Sequence, residues 1–432
     1  MIPKLDRCLA RRMGRDEHVP VPDAELRAWQ LDRLRRIVAH AKANSPFYAR
    51  RLAGVDPASV RSFADFARLP FLQPDDLRRG PEQLLCVSLD EIARVVTLTS
   101  SGTTGEPKRI FHTAGDLEAT TDFFALGMSN MTAPGDTVLV LLPDERPGGV
   151  ARLLGEALAR GGARAVAHPL DDADRAVDRC LAEGAKCVIG SPAHLNLLAL
   201  AFAARGVPAG TLRSVLLCWD AVPDAVVRNC ERTLGCAVFR HWGMIETCLG
   251  GGVECSPGSG LHLREADIFL EIVDPATGDP LPDGVTGELV LTTPLRLGMP
   301  FIRYRTGDLG RILPGVCPAC GSPLRRLDPR VRRADEGAAG DFPHLDELNE
   351  VLYSVDGLGD FAAGLEGGRL TVRYCGLGDG LGEKVRSALE NSPLLGQALR
   401  SGDMAIDLVF GGGLVPAVPG LGKRKIRSGE EN

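Results

Sequence analysis

The chain has 432 residues, enough for two or three domains with sizeable hydrophobic cores. Its 50 basic and 56 acidic residues give a formal net charge of −6, which argues against nucleic acid or an anionic membrane as a partner. The longest apolar runs are strand-sized and the N-terminus lacks the apolar segment of a signal peptide, so we expect a cytoplasmic protein without membrane contact.

Strands and helices alternate through the middle of the chain. Before them, an amphipathic pattern predicts a helix over residues 25–52, and an apolar run predicts a strand at 95–98. From residue 137, short apolar runs alternate with helical patterns, which is typical of a doubly wound parallel sheet. The predicted strands are 137–142, 164–168, 186–190, 214–218 and 236–239, and the predicted helices are 150–160, 173–183, 193–205 and 224–234.

The pattern changes to β-structure after residue 268, with strands at 269–273 and 288–293 around a turn-rich segment. Beyond residue 329, helices at 345–353 and 382–391 and strands at 370–374 and 405–410 indicate a small α+β domain. We therefore predict an α/β protein with two domains. Residues 1–328 form a large domain with an N-terminal helical part, a doubly wound, mostly parallel core and a β-rich subdomain, and residues 329–432 form a small mobile domain.

The most distinctive segment, residues 99–108, reads TSSGTTGEPK and follows the predicted strand at 95–98. Its glycines let backbone amides approach phosphate oxygens, its hydroxyls add donors, and Lys108 adds a compact positive charge. It is not a P-loop, because no glycine precedes the lysine and no serine or threonine follows it. An exposed polar turn is the alternative. The predicted phosphate-binding residues are Ser100, Ser101, Gly102, Thr103, Thr104 and Gly105.

Two further segments carry groups that suit a nucleotide. Asp308 lies on a Thr-Gly turn, where its carboxylate can accept from both hydroxyls of a ribose. Trp242, at the end of the last parallel strand, can stack on adenine. Glu246 can bind Mg²⁺, although a charge at a helix N-terminus is an equal alternative. Ligands of parallel sheets bind at the carboxyl ends of strands, so we predict a substrate pocket at Ser191, Trp219, His241 and Gly243.

A cluster of cysteines and one histidine suits a zinc ion. Cys317 and Cys320 form a CxxC pair, and Cys255 and His262 would complete a site of three cysteines and one histidine, with Cys248 as a reserve ligand. Four protein ligands leave no open position, so such a zinc would be structural. Free thiols near a turn are the alternative.

The segment at residues 99–108 resembles the phosphate loop of the adenylate-forming superfamily, which includes acyl-CoA synthetases and luciferases. The runs GLH, EIVDP, PLPDG, GELVLTT and IRYR between residues 260 and 305 resemble the phenylacetate-CoA ligase family and its F390 synthetase relatives. By matching position, the resemblance implies that residues 100–108 bind the triphosphate of ATP, Trp242 packs on adenine and Glu246 binds Mg²⁺. It further implies that Asp308 holds the ribose, with Arg330 as a second contact.

The resemblance also implies a catalytic cation near the C-terminus, at Lys423, with Lys425 as the alternative. It implies ATP-dependent activation of a carboxylic acid, an aryl acid included, to an acyl-adenylate with release of pyrophosphate, and then transfer to CoA. It is compatible with a homodimer. The chain departs from the family pattern at Trp219, where a glycine is usual, and in a shortened hinge at residues 332–336. Ile245 replaces a hydroxyl residue that contacts the α-phosphate, and Thr247 is its nearest substitute.

Two alternatives stay open because of these departures. One is a nucleotide-binding protein that has lost acyl transfer and acts as a sensor or partner subunit. The other is transfer of AMP to an acceptor other than a carboxylate, as in the F390-type relatives. Both keep the nucleotide site and change what the bound nucleotide does.

Overall fold

The computed structural model describes residues 2–98, 107–143, 149–334, 344–418 and 424–428. The chain divides into two compact units, each built from two chain segments. Unit 1 comprises Met1–Gly127 and His241–Val331. Unit 2 comprises Met128–Arg240 and Arg332–Asn432.

The N-terminal segment of unit 1 is mainly helical. The predicted helix over 25–52 is in fact two helices, because Ser45 adopts an extended conformation before Pro46, which begins the second helix. The hydroxyl of Ser45 accepts from the amide of Tyr48 and caps that second helix. The elements are α1 (Lys4–Arg12), α2 (Asp23–Asn44), α3 (Pro46–Arg51), α4 (Phe63–Phe66), β1 (Ile92–Leu98), β2 (Lys108–Thr113) and α5 (Ala114–Met128), with 3₁₀-helices at Pro57–Ser59, Pro74–Leu77, Pro81–Leu84 and Leu89–Glu91.

At 22 residues, α2 is the longest helix of the described part of the chain. Its buried positions include Leu34, Ile37, Val38 and Ala41, whereas Arg36 and Ala39 between them are exposed, as in an amphipathic helix packed on a core. Within the described ranges, no helix combines the length and the apolar character needed to cross a bilayer.

The central segment of unit 2 is the parallel sheet that the alternating pattern predicts. Its strands have the order β7–β6–β5–β3–β4, and each neighbouring pair is parallel. Every residue of β3, β5 and β6 is buried, as expected for strands covered on both faces. The elements are β3 (Thr137–Val140), α6 (Val150–Arg160), β4 (Arg164–Ala167), α7 (Ala173–Ala182), β5 (Cys187–Gly190), α8 (Pro192–Ala204), β6 (Ser214–Leu217), α9 (Asp224–Leu234) and β7 (Ala237–Trp242).

The second segment of unit 1 is β-structure. His241 and Trp242 pair with β8, and β8, β9, β14 and β13 continue as antiparallel neighbours. A separate antiparallel sheet contains β10, β11 and β12. The elements are β8 (Gly252–Glu254), β9 (Leu261–Leu263), β10 (Phe269–Val273), β11 (Gly287–Thr292), β12 (Tyr304–Gly310), β13 (Ile312–Leu313) and β14 (Arg326–Leu327), with a 3₁₀-helix at Ile245–Thr247.

The C-terminal segment of unit 2 is a small α+β arrangement. Strand β17 pairs with β16 in antiparallel and with β18 in parallel, and β19 pairs in parallel with β16. The elements are β15 (Arg332–Arg333), α10 (Leu345–Tyr353), β16 (Leu358–Glu366), β17 (Arg369–Gly376), α11 (Leu381–Glu390), α12 (Pro393–Ser401), β18 (Ala405–Phe410) and β19 (Arg427–Ser428).

Each unit has its own hydrophobic core. In unit 2, Leu348 of α10 and Phe361 of β16 belong to the same buried cluster as Leu195 and Leu198 of α8. The α/β fold class predicted from the sequence is confirmed. The predicted domain boundary between residues 328 and 329, and the mobility of the part that follows it, stay predictions.

Candidate active site

Three side chains of unit 1 meet at one point. Lys108 begins β2, and the pairing of β2 with β1 sets it opposite Leu98. Glu246 lies in the 3₁₀-helix that follows β7, and Tyr304 begins β12. Nζ of Lys108 pairs with Oε1 of Glu246 and donates to Oη of Tyr304 over 2.7 Å. The Tyr304 hydroxyl donates to the same Glu246 oxygen over 3.0 Å, which closes a triangle of contacts.

This triangle is largely shielded from water. The side chains of Lys108 and Glu246 are 15% and 3% exposed, and Nζ of Lys108 lies 5.0 Å from the centre of the Tyr304 ring. Buried charges of this kind are tolerated only with partners, and the ring face adds a favourable cation–π contact. A phosphate group that engages Lys108 would therefore free the Glu246 carboxylate for a second cation.

Arg296 fixes the backbone beneath the triangle. Its guanidinium donates to the carbonyl of Glu246 over 3.0 Å and to the carbonyl of Phe111 over 2.7 Å. It also contacts Nδ1 of His112 over 3.0 Å. Burial, and then the nearby Arg296 charge, lower the pKa of His112 well below its ordinary value, so the neutral ring accepts at Nδ1. The strand that carries Lys108 is thereby tied to the turn that carries Glu246.

The predicted adenine and ribose residues lie side by side in unit 1. Nε1 of Trp242 is 3.4 Å from Oδ2 of Asp308, and both residues are buried. The hydroxyl of Thr306 holds this turn, because it donates to the carbonyl of Leu289 over 2.7 Å and accepts from the amide of Asp308 over 3.0 Å. Gly307 between them has a φ of +73°, a conformation that favours glycine. An aromatic ring and a carboxylate therefore share one buried corner.

The turn after β7 is tightly built. The Thr247 hydroxyl accepts from the amide of Met244 over 3.0 Å and donates to its carbonyl over 2.8 Å, so it closes the turn. A Cβ added to Gly243 would lie 2.3 Å from the carbonyl oxygen of Leu249, so only glycine fits there. Burial lowers the pKa of His241 to about 4, and its Nε2 has no hydrogen-bond partner among the described residues.

The other two predicted pocket residues belong to unit 2. Ser191 caps α8 with its hydroxyl and lines a small cavity together with His194 and Asp220. Trp219 directly follows β6 with a φ of +81°, and the residue is 38% exposed. A pocket that joins these two residues with His241 and Gly243 of unit 1 stays a prediction.

The four predicted zinc ligands come together in unit 1. Cys255 follows β8, His262 lies in β9, and Cys317 and Cys320 lie between β13 and β14. The four ligand atoms lie within 4.8 Å of one another. The sulfurs of Cys255 and Cys317 are 3.7 Å apart, and the sulfur of Cys320 is 3.6 Å from Nε2 of His262.

These separations suit a tetrahedral ion. Zinc bonds of about 2.3 Å to sulfur and 2.0 Å to nitrogen place two sulfurs about 3.8 Å apart and a sulfur and a nitrogen about 3.5 Å apart. The reserve ligand Cys248 lies elsewhere, with its thiol 3.5 Å from the carbonyl of Asp116. The donor set therefore fits a structural zinc, whose presence stays a prediction.

Several predicted residues lie outside the described part of the chain. Arg330 is described: it is exposed, and its amide donates to Asp328 over 3.0 Å. Its role as a ribose contact stays a prediction, as do the roles of the residues outside the described ranges. These are Ser100, Ser101, Gly102, Thr103, Thr104, Gly105 and Lys423.

Two residues of this site were not singled out from the sequence. In the sequence, Tyr304 is one residue of the IRYR run, and no local pattern distinguishes Arg296 from other basic residues. Tyr304 begins a strand and its ring is buried, so its pattern is that of a core residue. Only its hydroxyl contacts distinguish it from one.

A known protein family matches the part of the chain that contains most of this site. A family model described as "AMP-binding enzyme" matches residues 19–298, which is more than half of the chain. This chain belongs to the AMP-binding enzyme family. The match includes Lys108, Trp242 and Glu246 and ends before Asp308. The prediction of an adenylate-forming enzyme is thereby confirmed at the level of the family.

Relatives within the AMP-binding enzymes narrow the resemblance. Phenylacetate-coenzyme A ligase of Thermus thermophilus is 34% identical over 337 residues, which cover 75% of this chain and 74% of the relative. The enzyme of the same name from Pseudomonas putida is 31% identical over 321 residues, covering 72% of this chain and 71% of the relative. The predicted resemblance to the phenylacetate-CoA ligase family is confirmed.

A solved structure shows the same fold. It is that of a 2-hydroxyisobutyryl-CoA ligase in the postadenylation state in complex with R3-HIB-AMP. It matches with a TM-score of 0.75 and 22% sequence identity, and the match covers 90% of this chain and 87% of that chain. The fold of this AMP-binding enzyme is thus found in a ligase that was solved with an acyl-adenylate.

Proposed function

We propose that this chain activates a carboxylic acid with ATP and then transfers the acyl group to the thiol of CoA. In the first step an acid oxygen attacks the α-phosphorus of ATP, the bond to the bridging oxygen breaks, and pyrophosphate leaves. In the second step the thiol attacks the acyl carbon and AMP leaves. The observation that carries the proposal is the buried triangle of Lys108, Glu246 and Tyr304 in a member of the AMP-binding family.

Each residue of the site has a role in the first step. Trp242 and Asp308 bind the adenine and the ribose, and residues 100–105 bind the phosphates. Lys108 balances the charge that develops on the phosphate and carboxylate oxygens, and Tyr304 holds its ammonium in place. Lys423 supplies a second cation. This division leaves positioning and charge compensation, rather than covalent catalysis, as the work of the protein.

Two metal ions belong to the proposal. Glu246 holds Mg²⁺, which takes one or two carboxylates together with substrate phosphates and water. Cys255, His262, Cys317 and Cys320 hold a structural zinc. When bound, Mg²⁺ adds charge neutralisation at the phosphates. Both donor sets come from residues whose positions in unit 1 are described above.

Pyrophosphate exchange tests the proposal. The purified protein is incubated with ATP, labelled pyrophosphate and a panel of aryl and aliphatic acids, and acyl-CoA is then measured by mass spectrometry. Acid-dependent exchange followed by thioester formation is the expected result. ATP binding without exchange for any acid would instead favour a nucleotide sensor, and an AMP adduct on another acceptor would favour F390-type transfer.

The setting of the enzyme is also part of the proposal. We infer a homodimer in the cytoplasm that acts on small molecules. Sedimentation of the purified protein tests the dimer, because a mass of twice the 46.0 kDa chain is expected. Fractionation of the source cells tests the location.

A further inference from the structure

An arginine close to the C-terminus is buried in unit 2. The guanidinium of Arg424 pairs with the carboxylate of Asp360, and these side chains are 12% and 2% exposed. It also donates to the carbonyl of Phe361 and lies 4.7 Å from the centre of that ring and 5.5 Å from the centre of the Tyr353 ring. The ion pair is therefore enclosed by two aromatic faces.

The carboxylate of Asp360 is fully engaged. Its Oδ1 accepts from the hydroxyl of Tyr353 over 3.0 Å and from the amide of Phe361 over 2.8 Å. Its Oδ2 accepts from the amide of Ala417 over 2.8 Å. A buried carboxylate held this way gives a fixed point on β16 for a cation. Ala417 and Arg424, which lie on opposite sides of the gap in the described tail, both attach to it.

A second contact links Arg424 to the end of the parallel sheet. The amide of Arg424 donates to Oδ2 of Asp220 over 3.1 Å, and Oδ1 of Asp220 accepts from the amide of Ala221 over 2.9 Å. Asp220 lies in the loop after β6, next to Trp219. The carboxyl ends of parallel strands are where ligands bind in such folds. The tail is therefore fastened by side chain and backbone at a place that suits a substrate.

We propose that Arg424 is a positioning residue that anchors the C-terminal tail at the loop after β6 for acid activation, the step to which the proposed function assigns the next residue in the sequence, Lys423. The anchor consists of Asp220, Tyr353, Asp360 and Arg424. The role in activation rests on the proposed function, whereas the attachment of the tail does not.

The chemistry of the anchor requires arginine. A planar guanidinium can pair with a carboxylate, donate to a carbonyl and stack between rings at the same time. The ammonium of a lysine keeps the charge but cannot stack between the rings or donate two parallel hydrogen bonds from a planar group. We therefore expect Arg424→Lys to anchor the tail only partly. This graded outcome separates an anchor from a simple positive charge.

Limited trypsin digestion tests the attachment without any assay of activity. Trypsin must take the arginine side chain into its own pocket, so burial slows cleavage after Arg424 relative to the exposed Arg427 of the same tail. In the wild type we expect slow cleavage after Arg424. In Asp360→Asn, which keeps both arginines, we expect the ratio of the two initial rates to rise at least fivefold. An unchanged ratio would overturn the anchor.

A folding control accompanies this experiment, because Asp360→Asn leaves a buried charge without its partner. Tyr353→Phe removes only the hydroxyl that donates to Asp360, and it should raise the ratio by a smaller factor. Both variants are compared at a temperature below the midpoint of thermal unfolding of each. A ratio that rises only when the whole protein unfolds contradicts the proposal.

The activation step is tested with Arg424→Gln and with the double variant Asp360→Asn/Arg424→Gln, which leaves no lone buried charge. We expect the kcat of pyrophosphate exchange to fall at least tenfold while the KM for ATP stays within about twofold, with partial rescue in Arg424→Lys. Arg427→Gln serves as the matched control and should keep wild-type exchange. Full exchange by a variant whose tail is released would overturn the positioning role. A wild type without exchange would refute the proposed function, and the trypsin ratio would still decide the anchor.

Discussion

The hydroxyl of Tyr304 donates to Oε1 of Glu246 over 3.0 Å. The same hydroxyl accepts from Nζ of Lys108 over 2.7 Å, so one phenol holds both members of a buried ion pair. Tyr304 therefore sets the separation and direction of the two charges that we assign to phosphate and Mg²⁺.

Tyr304→Phe should lower the kcat of pyrophosphate exchange by about tenfold to a hundredfold. A hydrogen bond to a charged group contributes about 1.5–3 kcal/mol, and each 1.4 kcal/mol is a factor of ten in rate. The ring stays, so packing is largely kept. The measurement is exchange at saturating ATP and acid.

Tyr48→Phe is the matched control for that variant. Tyr48 is also a buried tyrosine of unit 1, and its hydroxyl donates to the carbonyl of Pro300 over 3.0 Å. Its loss should reduce thermal stability with little effect on exchange. Equal loss of exchange in the two variants would mean that the Tyr304 hydroxyl acts only through stability.

Glu246→Gln should reduce exchange by about a hundredfold or more, since removal of one electrostatic contact to a developing charge typically costs this much. Glu246→Asp should retain part of the activity and require more Mg²⁺, because the shortened carboxylate is displaced from Lys108. Titration of exchange against Mg²⁺ measures the shift. Glu271→Gln is the control, because it removes the carboxylate that pairs with the buried Arg303. It should lower stability and leave the Mg²⁺ requirement unchanged.

Much of this fold was readable from the sequence, and the reasons differ between elements. The apolar strands β3, β5 and β6 are buried throughout, so short apolar runs between helical patterns identified the parallel sheet. The apolar spacing does not reveal the helix break at Ser45, because it continues across the break, and only Pro46 signals it. The spacing of apolar residues alone does not detect a change in the direction of the helix axis.

The sequence predicts those parts of the site in which residue type and spacing both indicate the chemistry. It does not predict contacts between residues that only folding brings together. The ligand types of Cys317, Cys320, Cys255 and His262 suggested a shared site, and the structure places their atoms within 4.8 Å. Arg424 resembled one more cation in a basic tail. Its partner Asp360 is distant in the sequence, so no local pattern connects the two.

Removal of the predicted zinc should destabilise the protein without altering the acid it prefers. Four protein ligands leave no open coordination position, so the ion is structural. The ligands join the turn between β13 and β14 to β9. Metal analysis of the purified protein should give one zinc per chain. Cys317→Ser should lose the metal and lower the midpoint of thermal unfolding by several degrees.

Cys248→Ser is the control for the zinc variant, because this buried cysteine lies outside the four-residue cluster. It should retain a full complement of zinc. Protein that carries no zinc above background when purified without chelators would refute the metal site. The three cysteine thiols and the imidazole of the cluster would then be side chains that bind no metal.

Stability should fall as the pH is lowered from about 6.5, in part because of His112. Burial, Arg296 and then Arg94 lower the pKa of His112 in the folded state. The unfolded chain therefore binds more protons below its ordinary pKa, and the free energy of unfolding declines by up to about 1.4 kcal/mol per pH unit for this group.

His112→Asn should flatten this part of the pH dependence. The amide oxygen of asparagine can accept from Arg296 in place of Nδ1, and it does not titrate. Urea unfolding of both proteins between pH 5 and pH 8 measures the difference. Parallel curves over that range would show that His112 is not a source of the acid sensitivity.

Trp219 stores backbone strain that glycine would release. Its φ of +81° is a conformation that bulky residues rarely adopt, and it costs about 1–3 kcal/mol. Glycine loses about 0.5–1 kcal/mol of this gain through its greater freedom in the unfolded chain, so Trp219→Gly should raise the free energy of unfolding by about 1 kcal/mol.

Val222→Gly is the control for Trp219→Gly. Val222 is absent from the residues with positive φ in the described chain, so glycine at this position should lower stability. Urea unfolding measures both variants, and a loss for Trp219→Gly as large as that of the control would mean that the indole contributes more through contacts than it costs in strain. If the indole also forms a wall of the acid pocket, the glycine variant should accept bulkier acids in the exchange assay than the wild type does.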